Sequence, residues 1–151
     1  MVISVGVLSS LTGCIALPQD EVLNSLGEYK SREYYSSGGF QDFTDYAKYR
    51  YDIVEPDGNP HFEKIQESDL PEIYRHLDDF EEWIATIGTN DATNEVVVHY
   101  DFDRALIDLE DFFYLYSEEH TWSEGYTSLV NYNLYFFDSQ TSVLYYFHNN
   151  I

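Results

Sequence analysis

The densest group of side chains that could perform chemistry in this chain is a run of carboxylates. It consists of Asp101, Asp103, Asp108, Glu110 and Asp111. Closely spaced oxygen ligands are what Ca²⁺ prefers. An EF-hand loop, however, needs an oxygen ligand at its fifth position and a glycine at its turn, whereas this run has an alanine and a leucine there. The run therefore predicts a solvated acidic surface that could bind a protein, and no metal ligand is predicted.

Histidines are a second source of chemistry. The chain has five, namely His61, His76, His99, His120 and His148. No two have the helical spacing of a zinc site, and no cysteine lies near them. The candidates for an oriented catalytic base are His99, beside Asp101, and His120, near Trp122 and Glu124. Isolated histidines are more often structural, and neither a nucleophile elbow nor a glycine-rich phosphate loop occurs. We therefore predict no catalytic residue, no enzyme activity and no cofactor.

The charge of the chain restricts its partners. There are 28 acidic and 7 basic residues, giving a net charge of −21. From His76 onward, 15 acidic residues stand against Arg104 alone. A field of this sign repels phosphate, so direct binding of nucleic acid is not expected. It attracts a basic protein, although the same charge could simply keep a tyrosine-rich surface soluble.

Cys14, the only cysteine, follows an apolar run without any charge. Leu11-Thr-Gly-Cys14 resembles the lipobox that ends a bacterial lipoprotein signal, which implies a lipid on Cys14 as the sole membrane attachment. A secretory signal also has a basic n-region, which is missing here. Two alternatives are open: a start upstream of Met1 that supplies basic residues, or a buried strand in Met1–Leu11. We predict residues 1–17 as the signal segment, 18–40 as a tether with a short helix in Asp20–Leu26, and 41–151 as one domain.

One long amphipathic helix is predicted from Asp69 to Ile87. Asp69 and Glu72 have the spacing of a capping box, and Gly88 is a C-terminal stop signal. Apolar residues recur every three or four positions along one face; they are Leu70, Ile73, Tyr74, Leu77, Phe80, Ile84 and Ile87. The acidic residues expected to face water on the other side are Asp78, Asp79, Glu81 and Glu82.

The remaining elements are predicted to be strands, because they are β-branched or aromatic runs bounded by polar turns. These runs are Phe43–Tyr51, Glu95–Tyr100, Phe112–Ser117, Tyr132–Phe137 and Val143–His148. The last two read as an antiparallel hairpin, and their adjacent aromatic residues put rings on both faces of the sheet. The predicted fold class is α+β, with one long amphipathic helix packed on a mostly antiparallel, aromatic-rich sheet.

The C-terminal residues 134–151 resemble the ends of small lipoproteins of Gram-positive bacteria that have no established activity. The resemblance rests on Tyr135-Phe-Phe-Asp138 and Leu144-Tyr-Tyr-Phe-His148, and Phe80-Glu-Glu-Trp83 looks similar too. It implies an extracytoplasmic location and carries over no chemistry to any residue.

Three classes of function are compatible with these observations. The favoured one is a non-enzymatic, lipid-anchored extracytoplasmic module that binds a basic protein. The main alternative is a cytoplasmic acidic inhibitor, either an immunity protein or a nucleic-acid mimic, that binds a basic toxin or nuclease. A small hydrolase is the third, and it would need a cleft that gathers His99 or His120 with carboxylates. The 15 Tyr, 10 Phe and 2 Trp residues fit a binding surface with an acidic rim, or simply core packing.

Overall fold

Six strands and three α-helices make up the described part of the chain. The structure is a computed structural model, which describes residues 21–38 and 42–150. The strands are β1 (Ser31–Ser36), β2 (Phe43–Arg50), β3 (Glu63–Lys64), β4 (Phe112–Thr121), β5 (Thr127–Asp138) and β6 (Val143–Asn150). The helices are α1 (Glu21–Ser25), α2 (Leu70–Asn90) and α3 (Glu95–His99), with a 3-10 turn at Arg104–Leu106.

The strands form one antiparallel sheet in the order β1-β2-β6-β5-β4-β3. The predicted hairpin between β5 and β6 is present, and its turn is held by Asp138, whose Oδ1 accepts the backbone N–H of Gln140 at 2.9 Å. The predicted α+β class and the antiparallel, aromatic-rich sheet are therefore confirmed. The description "one long helix" fits only in part, because α1 and α3 accompany α2.

Helix α2 covers one face of the sheet, which we call the inner face. The core of its stripe, Ile73, Leu77, Phe80 and Ile84, is buried as predicted. Phe80 packs edge-on against Phe147 of β6, with ring centroids 5.3 Å apart. Aromatic rings interlock along this face, so the helix and the sheet share one hydrophobic core.

The opposite, outer face is covered at one end by α1. Val22 and Leu26 are buried there against a second cluster that includes Ala47 and Tyr49 of β2. Because β2 is covered on both faces, it is buried along most of its length. It therefore lacks the alternation of buried and exposed residues typical of a half-buried strand, and even Lys48 is buried.

Both predicted ends of the long helix need correction. Asp69 precedes α2, but its side chain does not cap the helix; its Oδ2 accepts the N–H of Gln66 at 2.8 Å. The prediction that Gly88 ends the helix is also wrong, because α2 continues to Asn90. A Cβ at Gly88 would lie 3.2 Å from Val97 Cγ1, so this glycine allows the close approach of α3.

The predicted strand Glu95–Tyr100 is wrong, since Glu95–His99 forms helix α3. The side chain of Asn94 accepts the N–H of Val96 at 3.1 Å, which is an N-cap contact. Val96 is fully buried whereas Val98 is 58% exposed. The three consecutive valines suggested a strand by composition, but the asparagine cap and one-sided burial decide for a helical turn.

The tether predicted for residues 18–40 also needs correction within the described range. The short helix predicted there is present as α1, with Val22 and Leu26 buried. However, β1 pairs along its whole length with β2, from Ser31 opposite Arg50 to Ser36 opposite Asp45. Residues 21–38 therefore belong to the fold. The predicted signal segment, including Cys14, lies outside the described residues.

No helix in the described part of the chain combines the length and apolarity needed to cross a membrane.

Candidate functional site

Asp101 and Asp103, the first two residues of the predicted acidic surface, have structural partners. Asp101 accepts hydrogen bonds from Tyr46 Oη and from Lys48 Nζ, both at 2.8 Å. Burial tends to raise the pKa of Asp101, but the hydrogen bonds from Lys48 and Tyr46 outweigh it and lower the pKa. Asp103 Oδ1 accepts the N–H of Ala105 at 2.9 Å and caps the 3-10 turn.

The other three residues of the predicted surface form a separate turn just before β4. Asp111 is fully buried, and its two oxygens accept the N–H groups of Ser139 at 2.9 Å and Asp108 at 3.0 Å. Burial raises the pKa of Asp111. Glu110 is exposed and pairs with Lys64 at 2.7 Å. The prediction of a solvated surface is wrong for Asp111, which fixes the turn to the β5–β6 hairpin.

The predicted acidic surface is thus divided into two places, and much of it stabilises the fold. Within residues 21–38 and 42–150, no group of three or more His, Cys, Asp or Glu side chains is arranged to hold a metal ion.

The histidines are also dispersed. His76 is fully buried in α2, where Nδ1 contacts the Glu72 carbonyl at 2.8 Å and Nε2 contacts Ser117 Oγ at 2.9 Å. Burial lowers the pKa of His76. His99 stacks on the ring of Tyr35 with centroids 4.2 Å apart. His120 is the one that lines a large groove.

This groove, of about 800 Å³, lies between α2 and the far end of the β4–β5 hairpin. We call it the aromatic–acidic groove. Its lining consists of Asp42, Asp79, Glu82, Trp83, Thr86, His120, Trp122, Tyr126, Ser128, Leu129 and Val130. Helix α2, the β4–β5 hairpin and the residue before β2 thus meet at one opening. None of the five residues of the predicted acidic surface contributes to the described lining.

A β-bulge shapes the hairpin side of the groove. The β4–β5 register shifts between Glu118 and Glu119, so that Glu118 lies opposite Asn131 and Glu119 lies opposite Leu129. Val130 is the extra residue. A bulge bends its strand and changes the face to which the following side chains point. Leu129 is consequently part of the inner core, and both Leu129 and Val130 line the groove.

Exposed aromatic rings form the hairpin wall. Trp122 is 44% exposed and Tyr126 is 59% exposed, and their rings stack with centroids 6.2 Å apart. Trp122 is held by a hydrogen bond from Nε1 to Ser128 Oγ at 3.2 Å and by edge contact with His120, at a centroid distance of 4.5 Å. Rings held in this way offer rigid contact area with little entropy to lose on binding.

Three carboxylates complete the lining. Asp79 is half-buried, and Asn149 Nδ2 donates to its Oδ2 at 3.1 Å. Burial raises the pKa of Asp79, while hydrogen bonds from Asn149 and Tyr132 partly oppose the rise. Glu82 and Asp42 are exposed. The expectation that the acidic side of α2 faces water therefore holds for Glu82 but not for Asp79.

The charge of the groove is not balanced from within the described chain. Five of the seven basic side chains form ion pairs, and all the carboxylates they use lie outside the groove. Arg104, for example, pairs with Asp78 and Glu81, neither of which lines the groove. Among the described residues, the groove carboxylates have no cationic partner, and the lining contains no lysine or arginine.

A cation entering this groove would meet both kinds of group that attract it. Carboxylates supply charge, and the faces of tryptophan and tyrosine attract ammonium or guanidinium groups. Sequence reasoning identified aromatic surface with an acidic rim as a class, but not these residues. Asp79 is distant in sequence from His120 and Trp122, and only the packing of α2 beside the hairpin brings it to them. The pair Trp122 and Tyr126, four positions apart around a glycine turn, was the available local signal.

Comparisons of this chain with protein-family models, with curated proteins and with solved structures give no match.

Proposed function

We propose that this protein is a non-enzymatic module that binds a basic protein through the aromatic–acidic groove, and that a lipid on Cys14 holds it outside the cell membrane. The observation that carries the binding part is the coincidence of exposed Trp122 and Tyr126 with carboxylates that lack a cationic partner in the described chain. Tryptophan, tyrosine and charge complementarity are features of protein interfaces.

Binding is favoured over hydrolysis by the surroundings of His120. This residue does share the groove with Asp79 and Glu82. A general base, however, is usually oriented by a hydrogen bond to a carboxylate or carbonyl. Among the described residues, the His120 ring packs against Trp122, and no hydrogen bond joins it to a groove carboxylate. His120 therefore supports the aromatic wall.

The binding proposal is tested with a twelve-residue peptide rich in Arg and Lys, titrated by calorimetry at low and high salt. Trp122→Ala should weaken binding about 30-fold, because interface tryptophans often contribute about 2 kcal/mol and 1.4 kcal/mol corresponds to tenfold. Glu82→Gln should weaken it by up to about fivefold, as expected for one partly exposed charge pair.

Glu67→Gln is the matched control, since it removes the same charge at an exposed position before α2, away from the groove. If Glu67→Gln and Glu82→Gln weaken the peptide equally, net charge alone drives the interaction and the groove is not the site. Affinity that is unchanged in Trp122→Ala would likewise contradict the proposal.

The anchoring part is tested separately by cell fractionation. Cys14→Ala should move the protein from the membrane fraction to the soluble fraction, because the lipidated thiol is lost. Ser10→Ala introduces alanine at a nearby position and is the control, which should leave fractionation unchanged. A Cys14→Ala protein that fractionates like the wild type would contradict the lipid anchor, and if both proteins are soluble the cytoplasmic inhibitor is favoured instead.

A further inference from the structure

Strand β5 extends beyond its neighbour β6. The β5–β6 pairing begins at Asn131 opposite Asn150, whereas the β4–β5 pairing continues to Thr127 opposite Thr121. Residues 127–129 of β5 are therefore paired with β4 on one side only, within the described part of the chain. The open side borders the aromatic–acidic groove, where Ser128 and Leu129 belong to the lining.

The direction of the backbone groups at this open edge follows from the turn. Trp122 N donates to the Tyr126 carbonyl at 3.0 Å, so the backbone of Tyr126 points toward β4. Successive residues of a strand direct their N–H and C=O groups to alternate sides. The backbone N–H and C=O groups of Ser128 therefore point toward β4, and those of Thr127 and Leu129 point away from it. Backbone groups of this kind are a template for another strand.

We propose, on the basis of the proposed function, that the basic partner binds as an extended segment that adds to β5 along residues 127–129, in line with β6. Its backbone would exchange hydrogen bonds with Thr127 and Leu129. Its basic side chains would reach Asp79 and Glu82 on α2, and its length would lie against Trp122. Strand addition supplies affinity through main-chain bonds, and the side-chain contacts supply selectivity.

Charge decides between a basic segment and a second copy of this chain. Each copy carries a net charge of −21, so two copies repel one another at an edge that is already acidic. A segment with lysine or arginine is attracted to the same edge. Since side chains alternate across a strand, only every second residue of the segment would face α2. The segment should therefore need basic residues with a period of two.

The probe is a synthetic peptide in which arginine and threonine alternate, together with two N-methylated versions. In one version the backbone amide nitrogens of the arginine residues are methylated. In the other, those of the threonine residues are methylated. Arginine fixes the register, so only one set of amides faces β5. Methylation of that set should weaken binding at least tenfold, and methylation of the other set should change it by less than about threefold.

A second readout is amide hydrogen exchange of the intact protein, measured by NMR. Peptide binding should slow exchange at Thr127 and Leu129, while Ser128, which already faces β4, should change little. If the peptide binds and both methylated versions bind equally, or if Thr127 and Leu129 exchange as before, strand addition is overturned while the binding function stands. A folded protein that does not bind the parent peptide overturns both proposals. Protection of Thr127 in the protein alone that rises with concentration would assign the edge to a second copy.

Discussion

Replacing Leu77 with alanine tests the packing of α2 on the inner face of the sheet. Leu77 is 1% exposed at the centre of the helix stripe, in a cluster with Phe80 and Phe147. The substitution removes three buried carbon atoms, which corresponds to about 2.4 kcal/mol at about 0.8 kcal/mol each. Interlocked rings cannot easily collapse into the space, so a cavity contribution adds to this. The expected loss of unfolding free energy is about 3–5 kcal/mol.

The same substitution at an exposed leucine is the matched control. Leu109 is 40% exposed in the turn before β4, so Leu109→Ala should cost less than about 1 kcal/mol. Both variants and the wild type are unfolded in urea, and the midpoint and slope of each curve are compared. Equal losses in the two variants, with unchanged slopes, would mean that α2 does not bury Leu77 as described, and the reasoning about the inner face would fail.

Three further outcomes follow from other contacts. Asp111→Ala should lower the unfolding free energy by about 2 kcal/mol in urea titrations, because two partly buried N–H groups lose the buried carboxylate that accepts from them. Glu110→Ala should cost less than about 1 kcal/mol, and equal costs would contradict the buried role of Asp111. Burial lowers the folded pKa of His76 below its ordinary value of 6.5, so the unfolding free energy is not reduced by this group above that value and falls as the pH falls below it. His76→Gln should therefore give a flatter dependence of unfolding free energy on pH between about 7 and 5. An unchanged slope would refute the effect. Ser142 has a φ of 55°, in the left-handed region that favours glycine. Ser142→Gly should therefore stabilise the protein by up to about 1 kcal/mol, and Ser142→Val should destabilise it, as measured in thermal melts. A valine variant that melts above the glycine variant would count against a left-handed turn.

The sequence was sufficient for the elements with a strong repeat or strong composition. The stripe from Ile73 to Ile84 recurs at helical spacing, and the runs that form β5 and β6 are rich in aromatic and β-branched residues. It was insufficient where tertiary contacts oppose the local preference. The valines of α3 favour a strand locally, but the Asn94 cap and the burial of Val96 against α2 and β2 stabilise a helix.

The candidate site was predictable only as a type of surface. The sequence shows many acidic and aromatic residues, but it does not show which carboxylates are already used. Asp111 and Asp101 accept hydrogen bonds within the fold, whereas Glu82 lines a groove that contains none of the five residues of the predicted acidic surface. The difference depends on the position of the hairpin relative to α2. That position is set by a bulge in β5 that has no marker in the local sequence.

The strand order has a consequence for the assembly of the molecule during synthesis. β6 lies in the middle of the sheet, between β5 and β2, although it follows every other described strand in the chain. Its pairs with β2, such as Phe43 with Asn150, join residues about 100 positions apart. Long-range closure of this kind is slow compared with hairpin formation. As the chain leaves the ribosome, the β2 edge of the β1–β2 hairpin therefore stays unpaired until β6 has emerged and joins it to β5.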